Sequence, residues 1–142
     1  MRINEKKVLS ISPIVPVISI ENLDDALPLA KALQNGGINI MEITLRTWHA
    51  LDAIKLIRDK MPSMNVGAGT VCNKKDLEMA VSHGAQFIFS PGINEELIKS
   101  SKEHDIALIA GVSNASQVML AQNNNLHYCK LFPATVVGGL DI

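Results

Sequence analysis

The chain carries almost no net charge, has only two cysteines, and contains no apolar run long enough to cross a bilayer. Thirteen Lys and Arg against fourteen Asp and Glu leave a formal charge of −1, so the global balance points to neither nucleic acid nor an anionic membrane surface. Cys72 and Cys129 follow no metal-ligand spacing, which suggests reduced thiols of minor structural weight. The apolar stretch 11–20 is interrupted by Pro13, Pro16 and two serines, and it falls well short of the ~20 residues that a spanning helix needs. The start, MRINEKKVLS, is charged and has no apolar signal core, which points to a cytoplasmic protein. With 142 residues, 47% hydrophobic and 19% charged, the chain has the size and composition of one soluble globular domain spanning 1–142, not of a disordered chain.

What is present is a rhythm. Short, β-branched, nearly continuous apolar runs fall at 13–20, 38–46, 65–71, 85–92, 106–112 and 127–134. Between them lie stretches with apolar residues spaced near 3.6, at 23–34, 49–60, 74–82, 95–103 and 115–122, which predict helices. Asn22, Asn73, Asn94 and Ser113 are placed to cap them, and Gly36–Gly37 and Gly84 follow helices where a left-handed residue is wanted. The strand centres recur every 20 to 26 residues. Strands buried on both faces and joined by helices imply a parallel α/β sheet with right-handed crossovers. A doubly wound open sheet and part of a (β/α)₈ TIM-type barrel both fit. No G-x-G-x-x-G follows the first strand, which favours the barrel over the dinucleotide-binding alternative. Six βα units are present, whereas a barrel of this type has eight, so the expectation is an incomplete barrel lacking its C-terminal two units.

The run HYCKLFPA (127–134) sets a lysine in the middle of a strand bound for the interior. Lysine is rarely buried unless paired. Alternation along the strand puts Lys130 and Phe132 on one face, opposite Cys129 and Leu131. In MEITLR the same parity puts Glu42, Thr44 and Arg46 together, opposite Met41, Ile43 and Leu45. In VGAGT, Gly67 and Gly69 permit close approach and Thr70 stands at the C-terminal end, where barrel enzymes build their sites. Taken singly these residues have plain readings: Glu42 and Arg46 as a structural ion pair, Thr70 and Phe132 as strand formers, Ser90–Pro91–Gly92 as a turn. Together they converge on one cavity. The four histidines form no triad or metal arrangement; His49, His83 and His104 fall in or beside helices and His127 opens a strand. A desolvated amine beside another cation is a potential nucleophile toward a ketone, forming a Schiff base. Glu42 suits the proton transfers such chemistry needs. Thr70 and the amides opening the next helix can hold a carboxylate.

These residues resemble a known family. GGINIMEITLRT, VGAGTV, FIFSPG, GVSNASQ and KLFPA, in this order and spacing from PIVPVI to the last residue, are similar to the 2-keto-3-deoxy-6-phosphogluconate / 4-hydroxy-2-oxoglutarate aldolases, which are class I pyruvate aldolases. The resemblance implies Lys130 as the Schiff-base lysine, Glu42 as the proton-transfer residue, Arg46 and Thr70 at the acid end of a small keto-acid substrate, and Pro91 and Phe132 as pocket lining. It also implies a (β/α)₈ barrel, a homotrimer, and no metal or organic cofactor. The family's seventh and eighth strands supply the glycine-rich loops that bind the substrate phosphate, and no counterpart of them is found here. A truncated barrel acting only as an assembly partner is the alternative function.

Overall fold

The computed structural model describes residues 4–139. Six strands lie in one parallel sheet in chain order: β1 (Val17–Ile18), β2 (Ile40–Thr44), β3 (Asn65–Gly69), β4 (Phe87–Ser90), β5 (Ala107–Val112) and β6 (Cys129–Leu131). A short helix, α1 (Glu5–Ser10), precedes the sheet. The connecting helices are α2 (Ala26–Asn35, entered through a 3₁₀ turn at Leu23–Asp25), α3 (Ala50–Lys60), α4 (Lys74–Ser82), α5 (Glu95–Glu103) and α6 (Ala115–Asn123). Among the described residues, no helix is long and apolar enough to cross a membrane.

Strands and connecting helices stand where the periodicity put them, and α4 and α5 match their expected bounds at both ends. The chemistry of their starts explains this. Asn73 and Asn94 keep extended backbones while their side-chain oxygens accept the amides of Asp76 and Leu97, satisfying donors that the helix itself leaves open. The cap of α6 is not Ser113, as expected, but Asn114, whose Oδ1 accepts the Gln117 amide. Ser113 instead gives its backbone amide to Gln117 Oε1 at 2.7 Å. Gly37 and Gly84 adopt φ of 85° and 92°, the left-handed conformation that ends a helix at low steric cost. Nothing in the sequence reading anticipated α1.

Two apolar layers flank the sheet. Met41, Ile43, Val66, Ala68, Ile88, Leu108 and Ala110 pack outward against the helices, joining Ala53, Ile54, Ile57, Leu77 and Leu97. The other face buries a smaller set: Ile40, Phe87, Phe89, Ala107 and Ile109, together with Val8 from α1. Ile40, Phe87 and Ala107 all open their strands, so α1 closes the N-terminal end of the inner face. The C-terminal strand ends remain for other purposes.

The sheet is strongly curled, and one contact proves it. Across the four intervals from β2 to β6 a flat sheet would separate partners by about 19 Å, at the usual strand spacing. Yet Lys130 Nζ lies 3.7 Å from Glu42 Oε1. The ladder also drifts. Stepping from Glu42 to Gly67, and through the β3–β4 pairing of Ala68 with Ile88 to Phe87, leads to Ala107, four residues short of Gly111, the partner of Lys130.

Candidate functional site

Each side chain of the site is placed by the strand that carries it. Glu42, in the middle of β2, faces inward while Met41 and Ile43 pack on the helices; only 2% of Glu42 is exposed. Its position depends on two glycines in β3. A Cβ on Gly69 would overlap the Glu42 carboxylate, and one on Gly67 would overlap the Phe87 ring. Side-chain-free positions on the neighbouring strand thus make room for one carboxylate and one aromatic ring, the close approach that a strand glycine allows.

Lys130 enters from β6. Its side chain is 27% exposed, and it is held from three directions. Glu42 Oε1 is 3.7 Å away. The ring centroids of Phe132 and Phe89 lie 5.0 Å and 5.5 Å from Nζ, within the range of cation–π attraction. The lysine that seemed misplaced in an apolar strand is therefore paired, as a largely buried ammonium must be.

Burial pushes the Glu42 carboxyl above the usual carboxylate range, and the charges of Lys130 and Arg46 oppose that push without cancelling it. Such a carboxyl exchanges its proton at a higher pH than an exposed one, which brings it closer to the range where acid and base roles alternate.

The other expected residues are placed less tightly. Arg46 lies beyond the end of β2 and is exposed, so strand parity no longer governs it. Its charge still bears on Glu42. The loop around it is tied down by the Leu45 amide to the Gly69 carbonyl at 2.8 Å and by the Thr47 hydroxyl to the Ile20 carbonyl at 2.6 Å. Thr70 directly follows β3 with φ of 57°, a left-handed conformation unusual for a β-branched residue. Pro91 follows β4 and borders a cavity of about 180 Å³ with Val71, Cys72 and Leu97. The Pro91 carbonyl also occupies the space a side chain on Gly111 would need, and Gly111 is the ladder partner of Lys130. Lys130 thus reaches both Glu42 and Phe132, while Arg46, Thr70 and Pro91 stand at the C-terminal ends of three successive strands. Phe89 was missed by the sequence reading; its parity with Phe87 in FIFS was the available signal. Among the described residues, no group of three His, Cys, Asp or Glu side chains is placed to hold a metal ion.

Comparison with known proteins agrees with this arrangement. The family model for KDPG and KHG aldolase matches residues 5–142. The 2-dehydro-3-deoxy-phosphogluconate aldolase of Dickeya dadantii (strain 3937) is 45% identical over 135 residues, covering 95% of this chain and 63% of the relative. The chain thus spans somewhat less than two thirds of that relative's length. The crystal structure of the 2-keto-3-deoxy-6-phosphogluconate aldolase of Zymomonas mobilis ZM4 with 3-phosphoglycerate superposes with a TM-score of 0.91 at 45% identity, over 96% of this chain and 65% of that one. KDPG aldolase from Legionella pneumophila, with pyruvate captured at low pH as a covalent carbinolamine intermediate, gives 0.92 at 41% identity, over 94% and 65%. A parallel sheet curled around a lysine–glutamate pair, a family match over nearly the whole chain and identities of 41–45% lead to one assignment: the chain belongs to the KDPG and KHG aldolase family.

Proposed function

We propose that the protein is a class I aldolase that cleaves a 2-keto-4-hydroxy acid to pyruvate and an aldehyde, with 2-keto-3-deoxy-6-phosphogluconate or 4-hydroxy-2-oxoglutarate as substrate. The observation that carries this reading is the 3.7 Å approach of Lys130 Nζ to the buried Glu42 carboxylate. Transfer of the Lys130 ammonium proton to Glu42 leaves a neutral amine, which attacks the substrate's C2 carbonyl to give a carbinolamine. Protonated by Glu42, the carbinolamine loses water and leaves a protonated imine. Glu42, now ionised, takes the C4 hydroxyl proton. The C3–C4 bond breaks, its electron pair enters the imine to form an enamine, and the aldehyde departs. Glu42 returns the proton to C3, restoring the protonated imine, and water hydrolyses it to pyruvate and the free amine while Glu42 takes back the proton released. Arg46 and Thr70 would hold the substrate's carboxylate, and Pro91 and Phe132 would line the pocket. No metal or organic cofactor is needed for these steps.

The parallel strands in chain order and the curl that brings Lys130 to Glu42 support reading the sheet as the greater part of a (β/α)₈ barrel formed by a single domain. The family resemblance supports a homotrimer and a cytoplasmic setting. A lysine set between a buried carboxylate and two aromatic rings, in a chain of an aldolase family, favours the enzymatic reading over an inert assembly role.

Borohydride reduction in the presence of pyruvate tests the proposal. The expected product is a single adduct on Lys130, located by peptide mass spectrometry. An adduct on another lysine, or none, would overturn the assignment.

A further inference from the structure

Phe89 has a position that the reaction above leaves unused. It is 6% exposed on the inner face of β4, one ladder step from β5 and two from β6. Lys130 Nζ stands 5.5 Å from its ring centroid and 5.0 Å from that of Phe132. We propose that Phe89 is a positioning residue for the Schiff-base lysine. Together with Phe132 it forms a clamp of two aromatic faces that holds the Lys130 nitrogen toward Glu42, first as the ammonium and then as the protonated imine. The inference rests on the Schiff-base reading of Lys130.

The two rings are not equivalent. Phe132 is half-buried and follows the last residue of β6. Phe89 is fixed from behind: Phe87 meets it edge-on, with centroids 5.8 Å apart and planes at 89°. Phe87 is in turn held over Gly67, where a side chain would collide with its ring. The chain Gly67–Phe87–Phe89 therefore fixes the orientation of the Phe89 face, and an aromatic edge-to-face pair resists rotation. A ring face attracts a cation through its quadrupole, more strongly where water is excluded. The nitrogen is cationic as ammonium and as protonated imine but neutral in the carbinolamine. The clamp therefore favours dehydration of the carbinolamine, in which a proton is taken up, water leaves, and a C=N bond carries the positive charge.

With pyruvate saturating, so that the bound lysine is divided between carbinolamine and imine, the imine fraction is read directly by the rate at which borohydride adds hydride to the imine carbon and fixes pyruvate on Lys130 as a secondary amine. Site-specific replacement of Phe89 with mono-, di- and trifluorophenylalanine keeps the shape of the ring while withdrawing electrons from its face. Trapping is expected to slow stepwise with each fluorine. Phe89→Leu, which removes the face, should slow it about 2- to 30-fold. A flat response across the fluorinated series overturns the clamp, and this holds even if Phe89→Leu is slow, since packing alone would then explain that variant. Trapping at the wild-type rate in Phe89→Leu overturns it as well. Failure to trap pyruvate on Lys130 in the wild-type protein instead overturns the Schiff-base reading itself, and the clamp with it.

Discussion

Gly67 and Gly69 lie two residues apart in β3, both face inward, and each leaves room for a different neighbour; replacing each by alanine should therefore produce opposite phenotypes. At Gly69 the new Cβ would stand 2.5 Å from Glu42 Cγ and Cδ, whereas ordinary contact begins near 3.4 Å. The Glu42 side chain must then retreat by more than about 1 Å, and its atom nearest the new Cβ is Oε1, the one that faces Lys130. Misplacing a reacting group by that much costs on the order of 10²-fold in rate. The stability loss should be small, because the end of a flexible side chain can move. At Gly67 the obstacle is the ring of Phe87, which is fully buried. A ring locked in a packed layer has nowhere to go, and such overpacking costs about 1–3 kcal/mol. Steady-state turnover and thermal unfolding of both variants provide the assay. Gly69→Ala should lose turnover with nearly unchanged Tm; Gly67→Ala should lose Tm by several degrees, with a smaller loss of turnover that comes through the displaced Phe87 and Phe89. Wild-type turnover in Gly69→Ala would refute the reasoning, because Glu42 could not then be acting from its observed position.

Glu42→Gln should leave trapping on Lys130 detectable while lowering kcat by about 10²–10⁴-fold, the usual weight of general acid–base catalysis; near-normal turnover with a lowered Tm would mean that the carboxylate serves the fold alone. The pH dependence of stability should carry the mark of the same group. Burial raises its folded-state pKa, so the folded protein keeps a proton that the unfolded chain has released. This contribution is fully present below the unfolded value of roughly 4.3, and it is lost as pH rises through the higher folded value. Denaturant unfolding of wild type and Glu42→Gln across that range should show the stability difference shrinking or reversing toward neutral pH; parallel curves would contradict it. Thr70→Gly removes a β-branched residue from φ of 57°. It should stabilise the protein by about 1 kcal/mol through relief of strain while raising KM, so a variant both more stable and unimpaired in binding would show that the Thr70 side chain holds no substrate.

The order of strands and helices was legible because the middle strands, β2 to β5, are apolar runs buried on both faces and most of the helices open on an asparagine; β1 and β6 do not meet the expectation of two-face burial, since Val17, Cys129 and Leu131 are exposed. The elements that escaped have contacts too distant for local patterns to reveal. In α1 the buried residue is Val8, and its partners come from β2, β4 and β5, so its own sequence reads as a charged tail. The cap of α6 slipped by one residue because Ser113 and Asn114 are both competent, and the Gln117 side chain decides between them by engaging Ser113. Parity placed Glu42 and Lys130 on facing surfaces, but it was extended past the end of β2 when it put Arg46 inward. The ion-pair partner of Glu42 is Lys130, which only the curl of the sheet brings near. Thr70 gave no sign of its left-handed backbone, since threonine by propensity continues a strand.

The position of α1 has a kinetic consequence. Every strand pairs with its neighbours in the chain, so the sheet can grow by successive short loop closures, each of modest entropic cost. α1 cannot join at that pace. It has six residues, too few to persist alone in water, and the surface it packs on includes β5. The most N-terminal helix should therefore be among the last elements to become protected, and pulse-labelled hydrogen exchange should find its amides shielded no earlier than those of β5. Glu42 and Lys130 come together on the same late schedule, since β6 completes their pair, and the proposed trapping of pyruvate on Lys130 should not appear before β5 and β6 have paired.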